Sequence, residues 1–189
     1  MARPLSEDKR TAILEAAAEA VALLGVSAPT AKIAKGAGVA EGTLFTYFAN
    51  KDDLLNRLYL ELKVELRDAM MTRYPAGKSL VERNRHVWDR LIGWGSAHPL
   101  KRRAMRQLAV SDRITEASKK LVADAYGEFD DMIRECAAGS AMRRQPPSFV
   151  SAIMSALADT TMDFIAREPA EAKRYTKAGF DAFSKAVAG

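Results

Sequence analysis

Cysteine occurs once in the 189 residues, at Cys136. An intramolecular disulfide is therefore excluded, and a lone thiol fits a reducing compartment. The two histidines, His86 and His98, have no Cys or carboxylate at a recognisable ligand spacing, so no metal site and no cofactor are expected. The few prolines and glycines stand between long runs rather than inside them, which leaves room for long helices, and no segment carries a strand pattern. No apolar run approaches the roughly 18–20 uncharged residues of a membrane span. The opening "MARPLSEDKRT" also lacks the apolar core of a secretory signal. The expectation is an all-α, cytoplasmic chain without a membrane partner.

Hydrophobic residues make up 48% and charged residues 28%, a globular balance rather than a disordered one. The formal charge of +5 invites a nucleic-acid reading. Its distribution weakens that reading, because residues 1–57 hold seven Lys/Arg (Arg3 the first) and seven Asp/Glu. Net charge assigns nothing here; the motifs have to.

Ser6 can cap a first helix with Glu7 and Asp8 in its first turn, where the helix dipole favours acids. Ile13, Leu14, Ala17, Val21 and Leu24 recur at helical spacing, and Gly25 ends the run. A short helix follows from Thr30, then a Gly38-Val39 turn, then a third helix over about Glu41 to Phe48. Asn50 caps a long fourth helix, and "YPAG" at Tyr74–Gly77 stops it. Ser79 and Glu82 make a capping box for the fifth helix, and Pro99 suits the first turn of the sixth. The pattern predicts one helix from about Thr115 to Ala138 and two more, about 148–167 and 170–187, nine in all.

Two short helices joined by a glycine turn and backed by a preceding helix form a helix-turn-helix pattern, whose second helix enters the DNA major groove. Leu44 and Phe48 can anchor that helix inward, leaving Thr43, Phe45, Thr46 and Tyr47 to face out. The stretch "TAKIAKGAGVAEGTLFTYFANKDDLL" then resembles the DNA-binding signature of the TetR/AcrR family of bacterial transcriptional regulators. The resemblance covers about residues 6–58. It implies that Thr30 bonds a phosphate, that Glu41, Gly42, Thr43, Phe45 and Thr46 face the bases, and that Tyr47 and Lys51 clamp the backbone. It further implies a DNA-reading module over residues 1–50 and an effector-binding, dimerising body over 51–189. Three features depart from the family pattern: Ala31 stands where relatives often carry a side chain that reaches bases, Glu41 puts a negative charge near the groove, where it must accept from a cytosine amino group or point away, and the probe helix holds no Arg or Lys.

Other constellations read as background. "GAGVAEG" has no preceding strand and the wrong register for a phosphate loop. Ser148, Ser151, Ser155 and Asp159 form a polar stripe with no histidine near in sequence, so no catalytic residue is expected. "KRRAMRQ" at 101–107 reads first as a solvated basic face. In the body, Met70, Trp88, Leu91, Met105, Phe129 and Met132 are core residues or the lining of a cavity for an unknown small-molecule effector. The last two helices are apolar over more than one face, which points to a homodimer through Phe149, Ile153, Leu157, Tyr175, Gly179 and Phe183. The leading expectation is a repressor that leaves its double-stranded operator on binding the effector. The alternatives are a DNA-binding dimer without an effector and a small helical enzyme.

Overall fold

The computed structural model describes residues 6–188; Arg3, counted in the charge balance, lies outside the described residues. Ten α-helices run in order: α1 Glu7–Leu24, α2 Thr30–Gly36, α3 Glu41–Tyr47, α4 Lys51–Met71, α5 Leu80–Ala97, α6 Pro99–Ala109, α7 Glu116–Ala125, α8 Gly127–Ala137, α9 Pro147–Arg167 and α10 Ala172–Ala188. Two 3-10 turns, Ala141–Arg144 and Pro169–Glu171, precede the last two helices, and the described residues contain no strand.

The predicted helix over 115–138 is in fact two. Tyr126 leaves the helical well at φ −97° and ψ 8°, and its ring turns edge-on to Phe129 with centroids 5.8 Å apart. Its N–H reaches back only three residues, to the Ala123 carbonyl, and α8 restarts on the Tyr126 carbonyl. A single glycine, Gly127, costs a helix only about 1 kcal/mol, too little to mark this break in the sequence.

The caps explain the other boundaries. Asn50 Oδ1 accepts the Asp53 N–H at 2.9 Å while the Asp53 carboxylate accepts the Ala49 N–H at 3.1 Å. Ser79 and Glu82 form the expected reciprocal box, with Glu82 Oε2 2.8 Å from the serine hydroxyl. Ser6 stands at the N-cap of α1, but its side chain makes no capping bond.

Packing divides the chain into two units: residues up to 65 with 98–122, and 66–97 with 123–189. In the first, Ile13, Ala17 and Val21 of α1 meet Ile33 and Ala34 of α2, Leu44 and Phe48 around α3, Leu54, Leu55 and Leu58 of α4, and Ala104 and Leu108 of α6. Alanines at 16, 17, 18 and 22 keep the α1 surface low, so α2 and α6 both come close to it. Gly38 adopts φ +67°, the left-handed value that turns α2 into α3 within four residues and that a side chain would strain.

The second unit is built around α9, which packs on α10, α5 and α8. Trp88 of α5 is wholly buried; its Nε1–H donates to the Thr176 carbonyl at 3.0 Å, and its ring stacks on Phe183 at 6.1 Å. Among the described residues one helix is long and apolar enough to span a membrane by length and composition, α9 at a mean hydropathy of 1.3, although it is not an uncharged run. It carries Asp159 and Asp163, and Val150, Met154, Ala158 and Met162 are buried in the helical bundle, so its apolarity has a use within the fold. His86 lies 3.1 Å from the Thr72 carbonyl through Nε2 and edge-on to Tyr74.

A candidate nucleic-acid interface

The α3 helix is seven residues long and cannot stand alone; nucleation of so short a helix is unfavourable in water. Leu44, with no exposure, and Phe48 fix it from below. Helical periodicity then turns the other side outward: Glu41, Gly42, Phe45 and Thr46 are exposed, and Thr43 and Tyr47 are half-buried. Phe45 is 44% exposed, a large ring held at the surface of a helix that the core already anchors elsewhere. A Cβ built on Gly42 would meet nothing within 4 Å, so nothing inside the protein demands a glycine at this position. The open space lies in front of the helix, where another molecule can approach the backbone.

The ends of α2 and α3 are tied together. The Thr30 hydroxyl donates to Glu41 Oε1 at 2.6 Å, bringing together two residues expected at the DNA. The bond holds the exposed carboxylate toward α2 and commits the threonine proton, so in this arrangement only the backbone N–H groups of α2, not the hydroxyl, are left to donate to a phosphate.

Tyr47 has a double setting. Its ring packs against the core of the first unit, and its Oη accepts the Ser6 N–H at 3.0 Å. A phenol that accepts one bond still has its own proton to donate. Tyr47 thus joins the start of α1 to the end of α3 and keeps a donor for an anion.

Lys51 opens α4. Partial burial pushes its ammonium below the ordinary lysine range, and the nearby Arg113 charge adds to the shift. Arg113 lies in the loop between α6 and α7 and pairs with Asp52 at 2.6 Å. No motif reading of residues 6–58 reaches this arginine, because its closeness to Lys51 is purely tertiary. In the basic cluster of α6, Lys101 pairs with Glu65 at 2.7 Å rather than standing solvated.

The remaining predicted residues fall in different places. Met70, Trp88, Leu91, Phe129 and Met132 are buried and belong to the second unit, whereas Met105 packs on the core of the first. A cleft of about 440 Å³ in the second unit is lined instead by Ile133, Ala137 and Val150 with Arg134, Arg143 and Arg144. Of the residues expected at a dimer surface, Phe149 is 49% exposed, and Ile153, Leu157 and Tyr175 are half-buried. Phe183 and Gly179 face inward: Phe183 lies against Trp88, and a Cβ on Gly179 would stand 2.3 Å from Thr161 Oγ1 and 2.6 Å from Trp88 Cζ2. The periodicity that suggested a partner helix for Gly179 is satisfied within the chain.

A short helix projecting exposed polar and aromatic groups, buttressed by two others and flanked by a phenol and cations, has the geometry of a helix-turn-helix module in an all-helical fold. The profile described as bacterial regulatory proteins, tetR family, matches residues 13–58. A TetR family transcription regulator from Marinobacter aquaeolei VT8 shares the fold with a TM-score of 0.84 at 22% identity, over 96% of both chains. The family likeness in sequence thus rests on residues 13–58, about a quarter of the chain, while the likeness to the solved tetR-family regulators extends over the whole fold. It is 48% identical over 50 residues to the fatty acid metabolism regulator protein of Bacillus subtilis (strain 168). That stretch spans 26% of each protein, about a quarter of the curated relative. A crystal structure of the regulator FadR from Bacillus subtilis in complex with stearoyl-CoA has the same fold, with a TM-score of 0.69 at 17% identity over 93% of this chain and 97% of that one.

Proposed function

We propose that the chain is a sequence-specific DNA-binding transcriptional repressor, acting in the cytoplasm as a homodimer and released from its operator by a small-molecule effector. The observation that carries the DNA half is α3: anchored by Leu44 and Phe48, it presents Glu41, Gly42, Phe45 and Thr46 to solvent beside the start of α2. In this reading residues 1–50 read the operator, while 51–189 receive the effector and form the dimer. The continuous α4, which starts at Lys51, joins the two roles. Fatty acyl-CoA, the kind of ligand held by the Bacillus FadR structure, is the first effector class to try. Nothing in the arrangement of side chains favours an enzyme over this reading.

The test is a mobility-shift titration on the DNA upstream of the gene, with and without stearoyl-CoA. Retention of that fragment over a random duplex supports a regulator, and equal weak retention of both overturns it. Release by stearoyl-CoA supports the effector half. On that DNA, Lys51→Ala should weaken all sequences about equally and lower the salt slope by about one phosphate contact. Thr43→Ala should relax base preference at one or two positions, seen as a flatter ranking of operator variants; a loss uniform across sites would remove Thr43 from base reading.

The dimer surface runs along the outer face of α9. Phe149, Ala152, Ala156 and Phe164 are exposed there at helical spacing, and the Tyr175 ring lies 5.4 Å from that of Phe164. Two linked reading heads gain effective concentration, which a head with no Arg or Lys on its probe helix needs. The double substitution Phe149→Glu with Phe164→Glu should give a species of monomer mass in sedimentation, with tryptophan fluorescence unchanged. A persistent dimer would place the interface elsewhere.

A further inference from the structure

Arg113 is held in place with unusual care for a loop residue. The Asn56 side chain of α4 is buried, and its Nδ2 donates to the Arg113 carbonyl at 2.9 Å and to the Asp52 carbonyl at 2.7 Å. Its Oδ1 accepts the Thr115 N–H at 2.9 Å, so one amide grips the loop on both sides of Ile114. The Arg113 N–H donates to Ser111 Oγ at 3.2 Å. The result sets a guanidinium against the first turn of α4, sharing Asp52 with the Lys51 side of the helix.

The charge arrangement adds little to the stability of the free protein. An exposed ion pair such as Arg113–Asp52 contributes little to stability. Placing Lys51 and Arg113 within reach of each other opposes like charges, and both also stand at a helix N-terminus, where the dipole disfavours cations. One carboxylate, Asp52, serves both. Asp53 is already engaged by the Ala49 N–H, and Asp112 is exposed beside Arg113 in the loop. The Arg113 side chain stays 43% exposed, and a guanidinium with five N–H donors has several left after the Asp52 contact.

We propose that Arg113 is a second backbone-contacting cation of the DNA interface, donating to a phosphodiester beside the one met by Lys51; this rests on the DNA-binding reading above. Arginine is suited to the task because its planar fork can keep Asp52 on one edge and present another to phosphate oxygens. The α6–α7 loop thereby becomes part of the reading head, although more than fifty residues of sequence separate it from α4's first turn. Asp52 in turn is a positioning residue, which aims the guanidinium and limits its pull on non-target surfaces.

The experiment measures binding by anisotropy to a short random-sequence duplex and to the upstream fragment, from about 50 to about 200 mM salt, so that no operator need be known. Arg113→Ala should weaken both duplexes and lower the salt slope by about one, so that its affinity falls about threefold less than the wild type's over that range. Arg113→Lys should keep the slope. Arg113→Gln, which retains the stem, serves if the alanine variant melts early. A wild-type slope in Arg113→Ala and Arg113→Gln, alongside a reduced slope in Lys51→Ala, overturns the role of Arg113 and leaves the DNA reading intact. Weaker binding with an unchanged slope also overturns it, because Arg113 would then act only by holding α4. No binding of either duplex by the wild type removes the DNA reading and this inference together.

Discussion

Gly179→Ala should lower the stability of the second packing unit by about 3 kcal/mol or more, a large effect for one methyl group. The new Cβ would stand 2.3 Å from Thr161 Oγ1 and 2.6 Å from Trp88 Cζ2, distances at which something has to move. Neither neighbour yields easily. The Thr161 hydroxyl donates to the Leu157 carbonyl at 2.8 Å, and Trp88 is fixed by its bond to the Thr176 carbonyl and by the Phe183 ring. Either α10 moves off α9 and α5, or the indole leaves its site. Both tryptophans, Trp88 and Trp94, lie in the second unit, so their fluorescence during thermal melting reports on that unit. The expected fall in midpoint is roughly 10–20 °C. Gly93→Ala on α5 is the control, since a Cβ there meets nothing within 4 Å and should be neutral or mildly stabilising. An unshifted midpoint in Gly179→Ala would show that α10 packs less closely than described. By the same logic Phe183→Glu, which puts a carboxylate at a site now 2% exposed, should unfold this unit rather than split a dimer cleanly.

Asn56→Leu should release the α6–α7 loop from α4 and destabilise the first unit. Leucine fills a similar volume but leaves the Arg113 carbonyl and the Thr115 N–H without their partner. Both bonds are only part-buried and water can reach the freed groups, so each lost bond costs about 0.5–1.5 kcal/mol, for a loss of roughly 1–3 kcal/mol. The Thr115 hydroxyl, which also reaches Asn56 Oδ1 at 3.2 Å, keeps its contact with Ser118 and offsets a little of this. Hydrogen exchange gives the direct readout. The Thr115 amide should change from protected to fast-exchanging, while the Leu54 amide, bonded to the Asn50 carbonyl, stays protected. A Thr115 amide that remains protected in Asn56→Leu would mean that the loop is held by packing around Ile114, not by the amide.

Much of the fold was legible because its signals are local. Helix starts at Asn50, Ser79 and Pro99 rest on contacts within four residues, and the structure shows them where the sequence put them. Leu44 and Phe48, four residues apart, had to share a face, so Phe45 and Thr46 had to lie opposite them. The break at Tyr126 was not legible, because the apolar spacing continues through it and only the backbone angles change.

What the sequence determined by itself was the all-helical class and the three-helix reading head, since period, capping chemistry and the glycine turn act over a few residues. Tertiary structure alone decided the partners of side chains whose periodicity is ambiguous. A second apolar stripe on a helix signals a second neighbour, but cannot say whether that neighbour comes from the same chain or another. For Gly179 and Phe183 the neighbour is Trp88; for Phe149 and Phe164 the described chain supplies less cover. Likewise, a lysine at position 51 and an arginine at 113 are unrelated in sequence. They become neighbours because the α6–α7 loop docks on α4, where Asn56 bonds it on both sides of the buried Ile114 and Asp52 pairs with Arg113.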